Sequence, residues 1–174
     1  DGRSVVGVSG AGAVNLYSAN WASAVDYDEG ALSIWVRVDD NSRWTDGTPR
    51  KIVRLNIDAN NRIEVSKPAN NILQFQRNGN GTGINQQKTG VTGTNWIHLF
   101  CIWSVANDDQ YFFVDGVQQD YDTGLAAVVG SLNTTQQALG ANDGSGASGQ
   151  WYGNFCHFVL YKNPLTLNPI FIAF

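Results

Sequence analysis

The stretch Ala31-Leu-Ser-Ile-Trp-Val-Arg-Val38 alternates its side chains with a period of two residues. The aliphatic positions 32, 34, 36 and 38 share one face of an extended chain, while Ser33, Trp35 and Arg37 share the other. A strand with one apolar face lies in a sheet that packs on a core from one side. The segment therefore predicts a half-buried β-strand.

Residues 51–66 carry the same alternation twice, on either side of the turn Asp58-Ala-Asn-Asn61. This arrangement predicts a β-hairpin with one apolar and one polar face. The apolar side chains expected on the buried face are Val53, Leu55, Ile57, Ile63 and Val65. The charged side chains expected to face away from the core are Arg54, Arg62 and Glu64.

Turn residues divide the rest of the chain into short runs. The pair Asp115-Gly116 between two apolar runs predicts a tight hairpin turn. Further strands are predicted at about 13–17, 72–77, 84–88, 96–104, 110–114, 117–121, 136–140 and 151–161. So many short strands in one chain need two packed sheets. The sequence predicts an all-β, antiparallel sandwich of two sheets, with residues 1–174 as a single domain that can be part of a longer chain.

Charge and hydropathy exclude two classes of partner. The chain has 11 basic and 15 acidic residues, a net charge of -4, and its basic residues are dispersed. No basic stripe can follow a phosphate backbone, which argues against nucleic acid. No apolar run approaches the roughly 18 residues that a membrane helix needs, which argues against membrane insertion.

Cys101 and Cys156 lie in apolar runs, which favours two buried thiols. The alternative of a disulfide bridge between two core strands stays open.

A series of motifs covers nearly the whole chain. In order they are Asp28-Glu-Gly-Ala-Leu-Ser-Ile-Trp-Val36, Ile57-Asp-Ala-Asn-Asn-Arg-Ile63, Trp96-Ile-His-Leu-Phe-Cys-Ile-Trp103, Tyr111-Phe-Phe-Val-Asp-Gly116, Leu139-Gly-Ala141, Gly153-Asn-Phe-Cys-His-Phe-Val-Leu-Tyr161 and Pro164-Leu-Thr166. Their order and spacing resemble the laminin-G-like branch of the concanavalin A-like lectin and glucanase superfamily. This resemblance implies a jelly-roll sandwich of two antiparallel sheets.

Carboxylate chemistry argues against hydrolysis. A retaining glycosidase needs two carboxyl groups about 5–5.5 Å apart. The chain has two glutamates, Glu29 and Glu64, which are distant in sequence, and its aspartates cluster beside predicted turns. His98 and His157 have no nucleophile motif nearby and are interpreted as structural. We therefore expect a protein that is not an enzyme.

Two sets of loop residues remain as candidates for binding. Calcium, a cofactor that the fold does not require, could be held by oxygen ligands on loops. Those candidates are Asp39, Asp40, Asp46, Asn142 and Asp143. A glycan could stack on aromatic rings beside Gly-, Asn- and Asp-rich loops, although core packing explains the same rings. The ligand-binding candidates are Trp44, Trp151 and Tyr152, together with Asn142 and Asp143.

The resemblance to this superfamily implies a non-catalytic binding or adhesion module on the outside of a cell or of a virus particle. Its expected partner is a carbohydrate or a protein surface. The alternative is a structural virion protein, such as a phage capsid-decorating or tail-fibre domain, that binds other virion proteins or copies of itself.

Overall fold

The structure is a computed structural model that describes residues 5–8, 14–15, 25–142 and 148–164. Within these ranges the chain forms β-strands and a short 3₁₀ helix at Asn41–Trp44, and no helix there is long and apolar enough to cross a membrane. The strands are β1 (Val5–Val8), β2 (Val14–Asn15), β3 (Glu29–Val38), β4 (Arg50–Asp58), β5 (Asn61–Lys67), β6 (Ile72–Gly79), β7 (Thr82–Thr89), β8 (Ile97–Ser104), β9 (Asp109–Val114), β10 (Val117–Asp122), β11 (Gln137–Leu139) and β12 (Gly153–Tyr161).

The strands form two six-stranded sheets. Sheet A has the order β1-β12-β3-β8-β9-β10, and sheet B has the order β2-β11-β4-β5-β6-β7. Neighbouring strands are antiparallel in both sheets. The predicted all-β, antiparallel jelly-roll sandwich is confirmed.

The core lies between the two sheets and contains the apolar half of each alternating strand. In β3, Leu32, Ile34 and Val36 are fully buried, whereas Trp35 keeps 37% of its surface exposed on the outer face. Each fully buried aliphatic side chain of this kind contributes about 1.5–3 kcal/mol to stability. The predicted alternation of 31–38 is confirmed.

The predicted hairpin within 51–66 is formed by β4 and β5. Leu55 lies opposite Ile63, and Arg54 lies opposite Glu64 on the outer face. Register irregularities occur at both ends of the pairing, and near the turn Ile57 is half-buried instead of fully buried. The register fixes which polar side chains of sheet B face away from the core.

The predicted tight turn at Asp115-Gly116 joins β9 to β10. Both residues adopt positive φ angles, 50° and 76°, as a two-residue turn with the twist of a hairpin requires. The turn is tied to β8, because Asp115 Oδ1 accepts a hydrogen bond from the backbone N–H of His98 at 2.8 Å.

The two cysteines point to opposite sides of sheet A. Cys101 pairs with Leu32 and is fully buried in the core, whereas Cys156 pairs with Trp35 on the outer face and is half-buried. No disulfide joins the two residues. The expectation of two buried thiols therefore holds for Cys101 only, and the alternative of a bridge is wrong.

Candidate functional site

The two indole side chains considered for sugar stacking lie inside the sandwich. Trp44 and Trp151 are fully buried and contact each other edge to face, with ring centroids 5.7 Å apart. Trp44 Nε1 donates to Gly93 O at 2.7 Å, and Trp151 Nε1 donates to Arg37 O at 3.2 Å. A ring without an exposed face has no surface for a sugar. This placement corrects the expectation for both residues, which pack under the loops instead.

Tyr152 is half-buried beside an open pocket of about 280 Å³. The guanidinium carbons of Arg43 and Arg50 lie 4.6 and 4.5 Å from its ring centroid, so its π system already contacts two cations. Its hydroxyl donates to Gln150 Oε1 at 3.1 Å. The pocket is lined by Thr48, Arg50, Ser148, Gly149, Gln150 and Tyr152.

Asn142 links this pocket to sheet B. Its backbone N–H donates to Ser148 O at 3.0 Å, and its Nδ2 donates to Ser148 Oγ at 2.8 Å. Its Oδ1 accepts a hydrogen bond from Arg54 Nη1 at 3.0 Å. These bonds hold Asn142 against Ser148 and against β4, whereas Asp143 lies outside the described residues.

The other carboxylates considered for calcium accept hydrogen bonds from donors in the chain. The donors are Arg43 for Asp39, the backbone N–H of Ser42 for Asp40, and Arg50 with Lys67 for Asp46. Within residues 25–142 and 148–164, no three His, Cys, Asp or Glu side chains form a group that could hold a metal ion. Because Asp143 falls outside these ranges, calcium binding stays a prediction.

Asp46 is the centre of an ionic cluster at the edge of the pocket. Partial burial alone would raise its pKa, but hydrogen bonds from Arg50, from the Thr48 backbone and from Lys67 lower the pKa to about 2. The fully buried Lys67 Nζ donates to Asp46 Oδ1 at 3.1 Å and to Thr48 O at 2.9 Å. The cluster fixes Thr48, which lines the pocket.

Sheet B turns a polar surface away from the core. Strand pairing places one row of side chains across β4, β5, β6 and β7, running Arg54, Glu64, Gln76, Asn85. Neighbouring rows of outward-facing side chains lie on either side of this row. We call this surface the polar face, and its members are Lys51, Arg54, Asn56, Arg62, Glu64, Ser66, Gln74, Gln76, Asn78, Asn85 and Gln87.

Four buried atoms of the polar face have no hydrogen-bond partner within the described residues: Arg54 Nε, Asn56 Oδ1, Ser66 Oγ and Asn78 Oδ1. A fifth, Arg50 Nε, belongs to the adjoining pocket. Buried polar atoms are nearly always paired, and an unpaired one costs about 1–3 kcal/mol. Four more such atoms lie on the fully buried side chains of Gln86, Trp103 and Gln110, so the unpaired atoms do not by themselves mark a ligand site.

Other side chains of the polar face are held in place by one another. Gln74 Nε2 donates to Asn85 Oδ1 at 3.2 Å, and Gln87 Nε2 donates to Gln74 Oε1 at 2.9 Å. Lys51 forms an ion pair with Glu64. A ligand would therefore meet groups that are already oriented, which lowers the entropic cost of binding.

The two glutamates do not form a catalytic pair. Glu29 lies in β3 of sheet A and Glu64 in β5 of sheet B. Glu29 Oε1 accepts a hydrogen bond from the Ala106 backbone at 2.9 Å, while Glu64 pairs with Lys51. This arrangement lacks the facing carboxylates of glycoside hydrolysis.

No motif in the sequence gives the polar face a role. The alternation of residues 51–66 places Arg54 and Glu64 on the side away from the core, and this polar half of the pattern is the available signal. The missing information was the register, which brings residues 74–78 of β6 beside them.

The fold and the polar face together define an antiparallel β-sandwich with a polar outer surface. A laminin-G-type family model, described as the concanavalin A-like lectin/glucanases superfamily, matches residues 8–171. The chain belongs to this superfamily, as its motifs predict. No curated protein matches the chain.

Solved structures share the fold at low sequence identity. The chain is similar to the Ruminococcus gnavus IT-sialidase CBM40, with a TM-score of 0.74 and 11% identity over 97% of this chain and 95% of that chain. The same domain bound to α2,3-sialyllactose has a TM-score of 0.71 and 10% identity, over 97% of this chain and 94% of that chain. A leech intramolecular trans-sialidase has a TM-score of 0.67 and 10% identity, over 97% of this chain and 26% of that chain.

Proposed function

We propose that the protein is a non-catalytic carbohydrate-binding module that binds its glycan on the polar face. The observation that carries this proposal is the row of polar side chains across sheet B, in which Arg54 and Gln76 are half-buried and Asn85 is exposed. Sugar hydroxyls both donate and accept hydrogen bonds, so one glycan can pair with the guanidinium group of Arg54 and with the side-chain amides of Gln76 and Asn85. The fold shared with a CBM40 domain bound to sialyllactose supports this assignment.

The charge of the polar face favours a glycan that carries a carboxylate. Lys51 is neutralised by Glu64, and among the described residues Arg54 and Arg62 of this face have no ion-pair partner. Guanidinium groups bind carboxylates strongly through charge-assisted hydrogen bonds. Sialyllactose, the ligand of the CBM40 domain, is a glycan of this kind.

A binding role outside a cell agrees with the rest of the chain. The separation of Glu29 and Glu64 into different sheets supports a module without hydrolytic activity. We place the module at an extracellular location, where sialylated glycans are displayed. The matched structures give no support to the alternative of a structural virion protein.

Isothermal titration calorimetry with 3′-sialyllactose, 6′-sialyllactose and lactose tests the proposal. We expect saturable binding of a sialyllactose and weaker binding of lactose. Arg54→Gln should lower the affinity about tenfold or more, because it removes a charge-assisted hydrogen bond. The matched control is Arg37→Gln, which makes the same change on sheet A and should leave the affinity unchanged.

Two results would overturn the assignment. One is the absence of binding to these ligands and to a broad glycan array, and the other is an equal loss of affinity in both arginine variants. Repeating the titration with calcium and with chelator tests the calcium prediction, because an ion that bridges to the sugar would make the affinity depend on calcium.

A further inference from the structure

Sheet A turns an aromatic surface away from the core, opposite in chemistry to the polar face. The strand pairings place its side chains in rows across β12, β3, β8, β9 and β10. We call this surface the aromatic face, and its members are Ala31, Ser33, Trp35, His98, Phe100, Ile102, Tyr111, Phe113, Tyr121, Val159 and Tyr161.

The aromatic face contains an apolar layer of its own. Ala31, Ile102 and Phe113 are buried although they point away from the core, because Phe100 and Tyr111 pack against them. Around this layer the exposed fractions are 37% for Trp35, 46% for Tyr121, 40% for Val159 and 38% for Tyr161. Apolar surfaces of several hundred Å² on folded domains are often interaction sites.

The rings of this face stand beside one another and cover each other's flat sides. Trp35 stacks on His98 with centroids 4.9 Å apart, and His98 stacks on Phe100 at 6.3 Å with planes 14° apart. Tyr111 and Phe113 are stacked in the same way, at 6.4 Å. Sugars stack on open ring faces, and the stacking of neighbouring rings here leaves fewer of them open. The aromatic face therefore fits an apolar protein surface better than a glycan.

We propose that the aromatic face binds the aromatic face of a second copy of this chain, giving a symmetric dimer. The rows between Ala31 and Trp35 contain no Asp, Glu, Lys or Arg. The charged side chains of the outer surface lie at its two ends, with Arg37 beyond Trp35 and Glu29 and Asp109 beyond Ala31 and Tyr111, so the centres of two copies can meet without like charges in contact. A two-fold interface uses the same patch on both copies, which an uncharged apolar patch allows.

The geometry favours packing of faces over pairing of edges. The edge strand β10 has a register break between Gln118 and Asp120, and such irregularities hinder the addition of a further strand. Five strands at a spacing of about 4.8 Å, each contributing about five residues of about 3.4 Å, give a face of about 400 Å² per copy. The pair would bury about 800 Å², a size at the lower end for weak, reversible interfaces between proteins.

The dimer would have a functional consequence that rests on the proposed glycan binding. Each polar face lies on the far side of its own sandwich, so the two polar faces of the dimer would point in opposite directions. One dimer could then join two surfaces that carry glycans.

Sedimentation velocity of the full chain, from about 1 to 200 µM, tests the dimer over the range expected for a reversible interface. We expect the mass to rise toward twice that of the monomer with concentration. Tyr121→Glu and Trp35→Glu should each raise the protein concentration at which half of the chains are dimeric at least about tenfold, because they place a charge in the interface. The control Val129→Glu changes an exposed residue outside this face and should dimerise like the wild type.

A wild-type chain that stays monomeric at every concentration overturns the proposal and assigns the aromatic face to a different protein. A dimer that persists in both face variants overturns it as well, because the interface would then lie elsewhere. Binding of sialyllactose by Tyr121→Glu separates the two proposals, since a monomer with an intact polar face should still bind the glycan.

Discussion

Trp44 and Trp151 show how a fully buried aromatic residue supports a surface without being part of it. The contact between them joins segments that are more than 100 residues apart in sequence. Their positions beside Gly-, Asn- and Asp-rich loops suggested exposed rings, because the local pattern contains no information about a partner so distant. Their burial could be predicted only with the packing of the two sheets.

Trp151→Ala should destabilise the fold by about 3–5 kcal/mol, since it removes a large buried side chain and leaves a cavity. Chemical denaturation monitored by circular dichroism measures this loss. Trp35→Ala, the same change at a ring that is 37% exposed, should lower the free energy of unfolding by clearly less. Equal losses in the two variants would contradict the placement of Trp151 in the core.

The lowered pKa of Asp46 makes a second prediction for a single residue. Hydrogen bonds hold its pKa at about 2 in the folded state, below the ordinary 3.8. The ionised carboxylate therefore stabilises the fold above about pH 4, and this contribution is lost as the pH falls through about 2. The unfolding midpoints of the wild type and Asp46→Asn should differ at pH 5 and converge toward pH 2. A difference that does not depend on pH would contradict the ionic cluster.

Among the elements, the β9–β10 turn is the clearest case of local sequence deciding local structure. Gly116 has a φ angle of 76°, and no other heavy atom lies within 4 Å of the position of an added Cβ. Gly116→Val should therefore be disfavoured by backbone strain alone, at a cost of about 1–2 kcal/mol. Asp115→Asn should remain close to the wild type, because asparagine suits positive φ. Thermal unfolding of both variants distinguishes them, and a wild-type midpoint for Gly116→Val would refute this account of the turn.

Strands were predictable where alternation is regular, as in β3, where position 35 faces outward and positions 34 and 36 face inward. Prediction was less complete at irregularities. His157, with a φ angle of 51°, lies where the register of β12 against β3 shifts, and Cys156 just before it faces outward. A register shift is decided by pairing with the neighbouring strand, so the sequence of one strand does not reveal it.

At the scale of the whole molecule, two sheets with a common core present opposite chemistry to the outside. Sheet B carries amides and charges, and sheet A carries aromatic rings. The sequence contains both patterns strand by strand, in the residues that alternate with the core. Which outer residues become neighbours depends on strand order, and that order brings Arg54 of β4 into one row with Gln76 of β6.

The central claim is that a glycan binds to the polar face of sheet B. Nuclear magnetic resonance mapping of chemical shifts during titration with 3′-sialyllactose tests it most directly. We predict that shifts concentrate in β4–β6, including the side-chain amide of Gln76, while signals of Trp35 and Tyr121 stay in place. Shifts concentrated on sheet A, or no shifts at saturating glycan, would contradict the claim.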